Sequence, residues 1–131
     1  MTGPSDFDTH DDQFRAVCVL IQLPNSKILA VTRGSNLTAL GLPGGSCKLG
    51  ENIRDAAIRE LFEETGLVLI DPSPIYDGDF DGRHVWAFSG SFRGTIQHSD
   101  EGQVVEATPE EILAGPFGDY NRRIFEAIGL V

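Results

Sequence analysis

Glu60, Glu63 and Glu64 crowd three carboxylates into one short stretch, directly after Arg59 and just ahead of Gly66. Such a cluster is costly. Like charges one helical turn apart repel, and negative charge near a helix C-terminus opposes the helix dipole. Burial would add to the cost by raising the carboxyl pKa values, unless a cation offsets the field. Hard oxygen donors grouped in this way suit Mg²⁺ or Mn²⁺. The chemistry open to these residues is therefore divalent-cation binding.

The segment that must position them reads as a helix over Ile53–Thr65, with Asn52 as N-cap and Gly66 as the residue that ends it. At about 100° per residue, Ile53, Ala57 and Leu61 form an apolar stripe, and Glu60 and Glu64 lie within roughly 20° of Ile53. Two carboxylates thus continue the stripe that should face the core, while Glu63 stands roughly 80° to one side. The competing reading is an ordinary solvated helix in which Arg59 and Glu63 form an i,i+4 pair. The wheel position and the Gly44-Gly45 turn upstream favour the metal site.

The chain has 131 residues and a formal net charge of −10. That length suits one domain with a proper core, and no apolar run approaches a membrane span. The strongly acidic balance argues against binding long nucleic acid or an anionic membrane through a basic surface. Residues 1–13 are acidic and lack the basic start and apolar centre of a signal peptide, so a flexible tail, a domain over 14–131 and a cytoplasmic location are expected. The two cysteines, Cys18 and Cys47, have no partner at zinc spacing and are expected to be thiols.

Strands are expected at Phe14–Gln22 and Lys27–Arg33, joined by a turn at Pro24-Asn25-Ser26. Further strands are expected at 67–70, 83–93, 95–98 and 103–107, with a loop at 71–74. Thr108-Pro109 should open a short helix, and Asp119 or Asn121 a last amphipathic one. One well-marked helix among strands, and another at the C-terminus, indicates the α/β class.

The run Gly45, Glu51, Arg59-Glu60-Leu61, Glu63-Glu64, Gly66-Leu67 resembles, position for position, the signature of the Nudix hydrolases. The resemblance implies an α/β/α sandwich, with a mixed β-sheet between helices, over roughly residues 14–128. It also implies a Mg²⁺- or Mn²⁺-dependent hydrolase that cleaves a diphosphate linkage by water attack on phosphorus. The substrate would be a small molecule, a nucleoside triphosphate or another nucleoside diphosphate derivative. ADP-ribose, nucleotide sugars and dinucleoside polyphosphates share the reacting group, and a Nudix-fold binding module without catalysis is the rival from another class.

Carried over residue by residue, Glu60, Glu63 and Glu64 would supply metal ligands, with the Gly45 carbonyl as a further one. Arg59, paired with Glu51, would orient the glutamates. The stretch Glu101-Gly-Gln-Val-Val-Glu106 resembles that of MutT-type members, which makes Glu106, ahead of Glu101, the expected additional base or ligand. Ala107 stands where many members have Trp. Arg33 is a candidate phosphate contact. Asn121, with Phe117 and Tyr120 nearby, stands where MutT-type members use an asparagine to read the base, and its competing role is a helix N-cap. Asp77-Gly-Asp79-Phe-Asp81-Gly82 matches the first half of an EF-hand loop, but Phe88 stands where the bidentate Glu should be. It reads as an acidic loop at the rim of the pocket.

Overall fold

Alternation along the first strand divides the molecule into layers. In β1 (Asp11–Leu20) Val17 and Val19 face one side of the sheet, while Ala16, Cys18 and Leu20 face the other. The computed structural model describes residues 11–33, 36–98 and 102–131. Residues Asp11 to Gln13, expected in the tail, belong to β1.

One sheet has the order β4-β1-β6-β5, formed by β1, β4 (Gly44–Lys48), β5 (Val68–Phe80) and β6 (Arg83–Arg93). The β1–β6 pair is parallel and its other pairs antiparallel, so the sheet is mixed. A three-stranded antiparallel sheet has the order β3-β2-β7, from β2 (Ile28–Arg33), β3 (Asn36–Gly41) and β7 (Val104–Ala107). Hydrogen bonds from Val19 N to Pro43 O and from Leu29 N to Ile21 O join the two sheets.

Helix α1 (Ile53–Thr65) covers one face through Ala56, Ala57 and Leu61, packed on Val17, Val19, Leu69 and Phe88. Helices α2 (Pro109–Leu113) and α3 (Gly118–Ala127) cover the other through Ile112, Tyr120, Ile124 and Phe125, against Leu20, Ile28 and Ala87. This is the expected α/β/α sandwich.

The ends of α1 are fixed as read. Asn52 Oδ1 accepts from Arg54 N at 2.7 Å and Asp55 N at 3.4 Å, and Gly66 takes φ 78° while its N–H bonds Phe62 O. Thr108 and Glu111 form a complete capping box at α2.

Three expectations fail. The loop at 71–74 is part of β5, which runs on to Phe80 through register shifts between Ile70 and Ser73 and between Pro74 and Tyr76. Bulges absorb the residues that break the alternation there. The stretch 95–98 is not a strand. Asn121 is not a helix cap: α3 begins at Gly118, and Phe117, the N-cap residue, makes no side-chain cap.

Candidate active site

The helix wheel placed Glu60 on the core side, and the structure buries it to 9% exposure. Strand β4 runs past it at very close range. A Cβ on Gly45 would stand 2.7 to 2.9 Å from the Glu60 carboxylate atoms, so only glycine fits there undisturbed. Gly44 N–H donates to Glu64 Oε1 at 3.3 Å, and the Glu64 carboxyl lies close enough to that of Glu60 to share a proton with it. Two carboxylates and the Gly44-Gly45 backbone are thus gathered at the junction of strand and helix.

Arg59 organises the rest. Its Nε and Nη2 grip both oxygens of Glu51 at 2.9 Å, Nη1 reaches Glu60 at 2.8 Å and Glu63 at 3.0 Å, and Nη2 also donates to Ser46 O at 3.1 Å. The forked contact holds the Glu51 carboxyl below its usual range and raises the guanidinium further above its own. Burial, the largest influence on Glu60, pushes its carboxyl above the usual range, with Arg59 acting in the opposite direction. One guanidinium facing Glu51, Glu60 and Glu63 cannot neutralise them all.

The donor set fits a hard divalent cation: Glu60 and Glu64 oxygens lie together beside a backbone that approaches without a side chain. It is not a finished cage. Among the described residues no three acidic, histidine or cysteine side chains stand ready around one point. Glu63 is half exposed and turned to Arg59.

Next to Gly44 and Gly45, at the start of β4, opens a pocket of about 370 Å³ on the α3 face of the sheet. Gly44, Gly45, Ser46 and Arg83 line one part of it, and Phe80, Phe117, Tyr120 and Asn121 line another. Phe80 meets Phe117 edge-on at 6.3 Å between centroids and Tyr120 at 5.5 Å. Tyr120 is fixed by donating its hydroxyl to Val85 O at 2.6 Å, and burial pushes its pKa up. Asn121 is 3% exposed, and its Nδ2 is buried without a hydrogen-bond partner among the described residues. An orphaned buried donor costs stability, and this one belongs to a residue of the pocket wall.

Residues 12–128 match the family model of the NUDIX domain. The chain belongs to the Nudix hydrolase family. A MutT structure described for Aliivibrio salmonicida and Vibrio cholerae superposes with TM-score 0.72 at 21% identity, covering 89% of this chain and 99% of that one. The MutT Nudix hydrolase of Burkholderia pseudomallei gives 0.71 at 21% identity, over 88% and 97%. At that identity the likeness concerns the fold. An "m7GpppN-mRNA hydrolase NUDT17" from Danio rerio is 46% identical over 57 residues, which is 40% of this chain and 19% of that protein. The chain spans about a fifth of the length of the curated relatives it matches.

Within this Nudix hydrolase, the structure brings Gly45, Glu60 and Glu64 together and ties Glu51 and Glu63 to Arg59. Phe117 and Asn121 meet in the adjoining pocket. The Glu106 carboxylate, on β7, accepts from Asn25 Nδ2 at 2.7 Å, at the turn between β1 and β2. Arg33 closes β2, and its side chain, like Glu101, lies outside the described residues.

Sequence reading missed Arg83 and Phe80, while Tyr120, named beside Phe117 and Asn121, does line the pocket. It placed the 77–82 segment at the pocket rim, where Phe80 and Asp81 do lie, but as a loop. The segment is the end of β5 and a tight turn, with Asp81 at φ 53° and Gly82 at φ 80°. An EF-hand is excluded there, because the Asp77 and Asp79 carboxylates grip the two ring nitrogens of His84, each at 2.7 Å. The signal for Arg83 was its place at the head of a strand directly after a two-residue turn.

Proposed function

We propose that this Nudix hydrolase cleaves the diphosphate linkage of a nucleoside triphosphate or another nucleoside diphosphate derivative by attack of water on phosphorus. The observation that carries the reading is the double role of the Gly44-Gly45 backbone. It lies against the Glu60 and Glu64 carboxylates of α1 and also lines a pocket that Asn121, with an unpaired amide donor, helps to wall.

Glu60, Glu64 and the Gly45 carbonyl would hold Mg²⁺ or Mn²⁺, with Glu63 joining once it leaves Arg59. Bound there, the ion supplies polarisation of phosphate oxygens and neutralises charge on the leaving group. The chain's own residues do the remaining work. Arg59 keeps Glu60 oriented and Glu51 keeps Arg59 oriented, so the carboxylates need little rearrangement. The side-chain-free Gly44-Gly45 edge lets a phosphate approach the backbone. Arg83 makes no ion pair among the described residues and donates only to Ser46 Oγ at 2.7 Å, which leaves its charge for a phosphate.

The base would enter between Phe80, Phe117 and Tyr120 and present a polar edge to Asn121. A purine fits the amide, which offers a donor and an acceptor together. The net charge of −10 keeps long nucleic acid out of the reading. The printed name of the Danio rerio relative makes a cap-like dinucleotide one member to test.

A panel of GTP, ATP, a dinucleoside tetraphosphate, ADP-ribose, a nucleotide sugar and a cap dinucleotide, each with Mg²⁺ and Mn²⁺, tests the reading. Metal-dependent hydrolysis of at least one member, at the diphosphate, is expected. Absence of metal-dependent turnover on all of them would overturn it.

A further inference from the structure

The end of the β5–β6 hairpin carries Phe80 and Arg83 to the pocket, where Phe80 meets the rings of Phe117 and Tyr120 from α3. That end is exposed to fraying. β5 is an edge strand with a neighbour on one side only, and the chain reverses at Asp81 and Gly82 directly after Phe80. An element so placed keeps one position only if contacts from elsewhere tie it down.

Arg123 of α3 supplies such a tie. Its Nη1 donates to Asp79 O at 3.0 Å, and its Cζ lies 5.1 Å from the centre of the Tyr120 ring. The Asp79 carbonyl belongs to the planar peptide that leads into Phe80, so holding the carbonyl fixes where the Phe80 side chain starts. The Asp79 carboxylate is held separately, by His84 Nδ1 at 2.7 Å. Tyr120 is set from its far end by the bond to Val85 O, and Arg123 adds a cation over its ring. One guanidinium thus joins the two elements that wall the pocket. It does so from behind the wall, since Arg123 does not line the pocket, and it makes no ion pair among the described residues.

We infer that Arg123 is a positioning residue for base recognition, holding Phe80 and Tyr120 at the spacing that a base needs without touching the base. The inference rests on the proposed entry of a base between these rings and deepens it. A stack takes any base by its face, whereas Asn121 offers an amide to one edge. Loss of Arg123 should therefore weaken guanine and adenine ligands alike.

GMP, AMP and ribose 5-phosphate are the probes, because none has a diphosphate to cleave and all can be titrated with Mg²⁺ present. Arg123→Met keeps a long side chain and a good helix former, and melting curves check that it folds. Titration calorimetry should show the dissociation constants of GMP and AMP rising by a common factor of about 5 or more in Arg123→Met, with that of ribose 5-phosphate unchanged. Arg123→Lys, which still offers a cation to the ring and a donor to the carbonyl, should recover part of the loss. For GTP, KM should rise while kcat changes little. Unchanged mononucleotide binding, an equal loss for ribose 5-phosphate, a loss confined to one base, no recovery in Arg123→Lys, or no binding of either mononucleotide to wild type would overturn the role. The expected binding pattern in a protein that hydrolyses no nucleotide would instead overturn the hydrolytic reading and leave the role of Arg123 standing.

Discussion

Replacing Asn121 by leucine should make the ligand-free protein more stable and its substrate recognition worse. Asn121 is buried in α3 with Nδ2 unpartnered, and Leu has the same branching and no polar atom. An unsatisfied buried donor costs about 1–3 kcal/mol, and removing it should recover much of that. For a chain of this size each kcal/mol corresponds to roughly 4 °C in Tm. Thermal melts in metal-free buffer should therefore move up by several degrees. The same variant should lose about 10–100-fold in the ratio of kcat/KM between guanine and adenine substrates, because the amide can no longer pair with a base edge. A gain in stability coupled to a loss of discrimination is what a site-directed donor predicts, and a packing residue predicts the reverse. If Asn121→Leu melts below wild type, or keeps its base preference, the assignment of Asn121 to substrate fails.

Gly45→Ala should fold, since the intruding Cβ meets the movable end of Glu60, yet displace that carboxylate and lower kcat at least ~10-fold in a Mg²⁺ assay. Arg59→Lys keeps one positive charge but cannot grip both oxygens of Glu51 while reaching Glu60 and Glu63; Mn²⁺ titration should show affinity reduced about 10–100-fold. His84 has a raised pKa because the Asp79 and Asp77 carboxylates favour its charged form. Its stabilisation is fully present below the unfolded value near 6.5 and is lost as pH rises through the higher folded value, so Tm of wild type should fall toward that of His84→Gln on going from pH 6 to about 9. A pH-independent Tm difference between the two proteins would contradict the clamp.

The parts of the fold that could be read from the sequence are those with local signals. Helix α1 announces both its ends, Asn52 by its capping amide and Gly66 by its left-handed turn, and the 3.6-residue period turns Glu60 inward between them. The capping box at Thr108 and Glu111 is equally local. What escaped notice depends on distant contacts. Strand β5 carries Pro72, Pro74 and several aspartates, and is held extended by its long pairing with β6 rather than by its own propensity. Arg83 and Phe80 join Tyr120 and Asn121 in one pocket from two strands and a helix, an arrangement no spacing encodes. Similarly, Asn121 looked like a cap because the sequence could not show that α3 starts at Gly118.

The most direct measurement is the initial rate of Glu64→Gln against wild type at saturating Mg²⁺, on whichever panel substrate wild type hydrolyses best. Gln keeps the shape of the side chain and the acceptor for Gly44 N–H while removing the charge that a cation needs. The account predicts a fall in kcat of at least ~100-fold with an unchanged fold. A variant that turns over at close to the wild-type rate would contradict the claim that the Glu60–Glu64 pair is the catalytic centre.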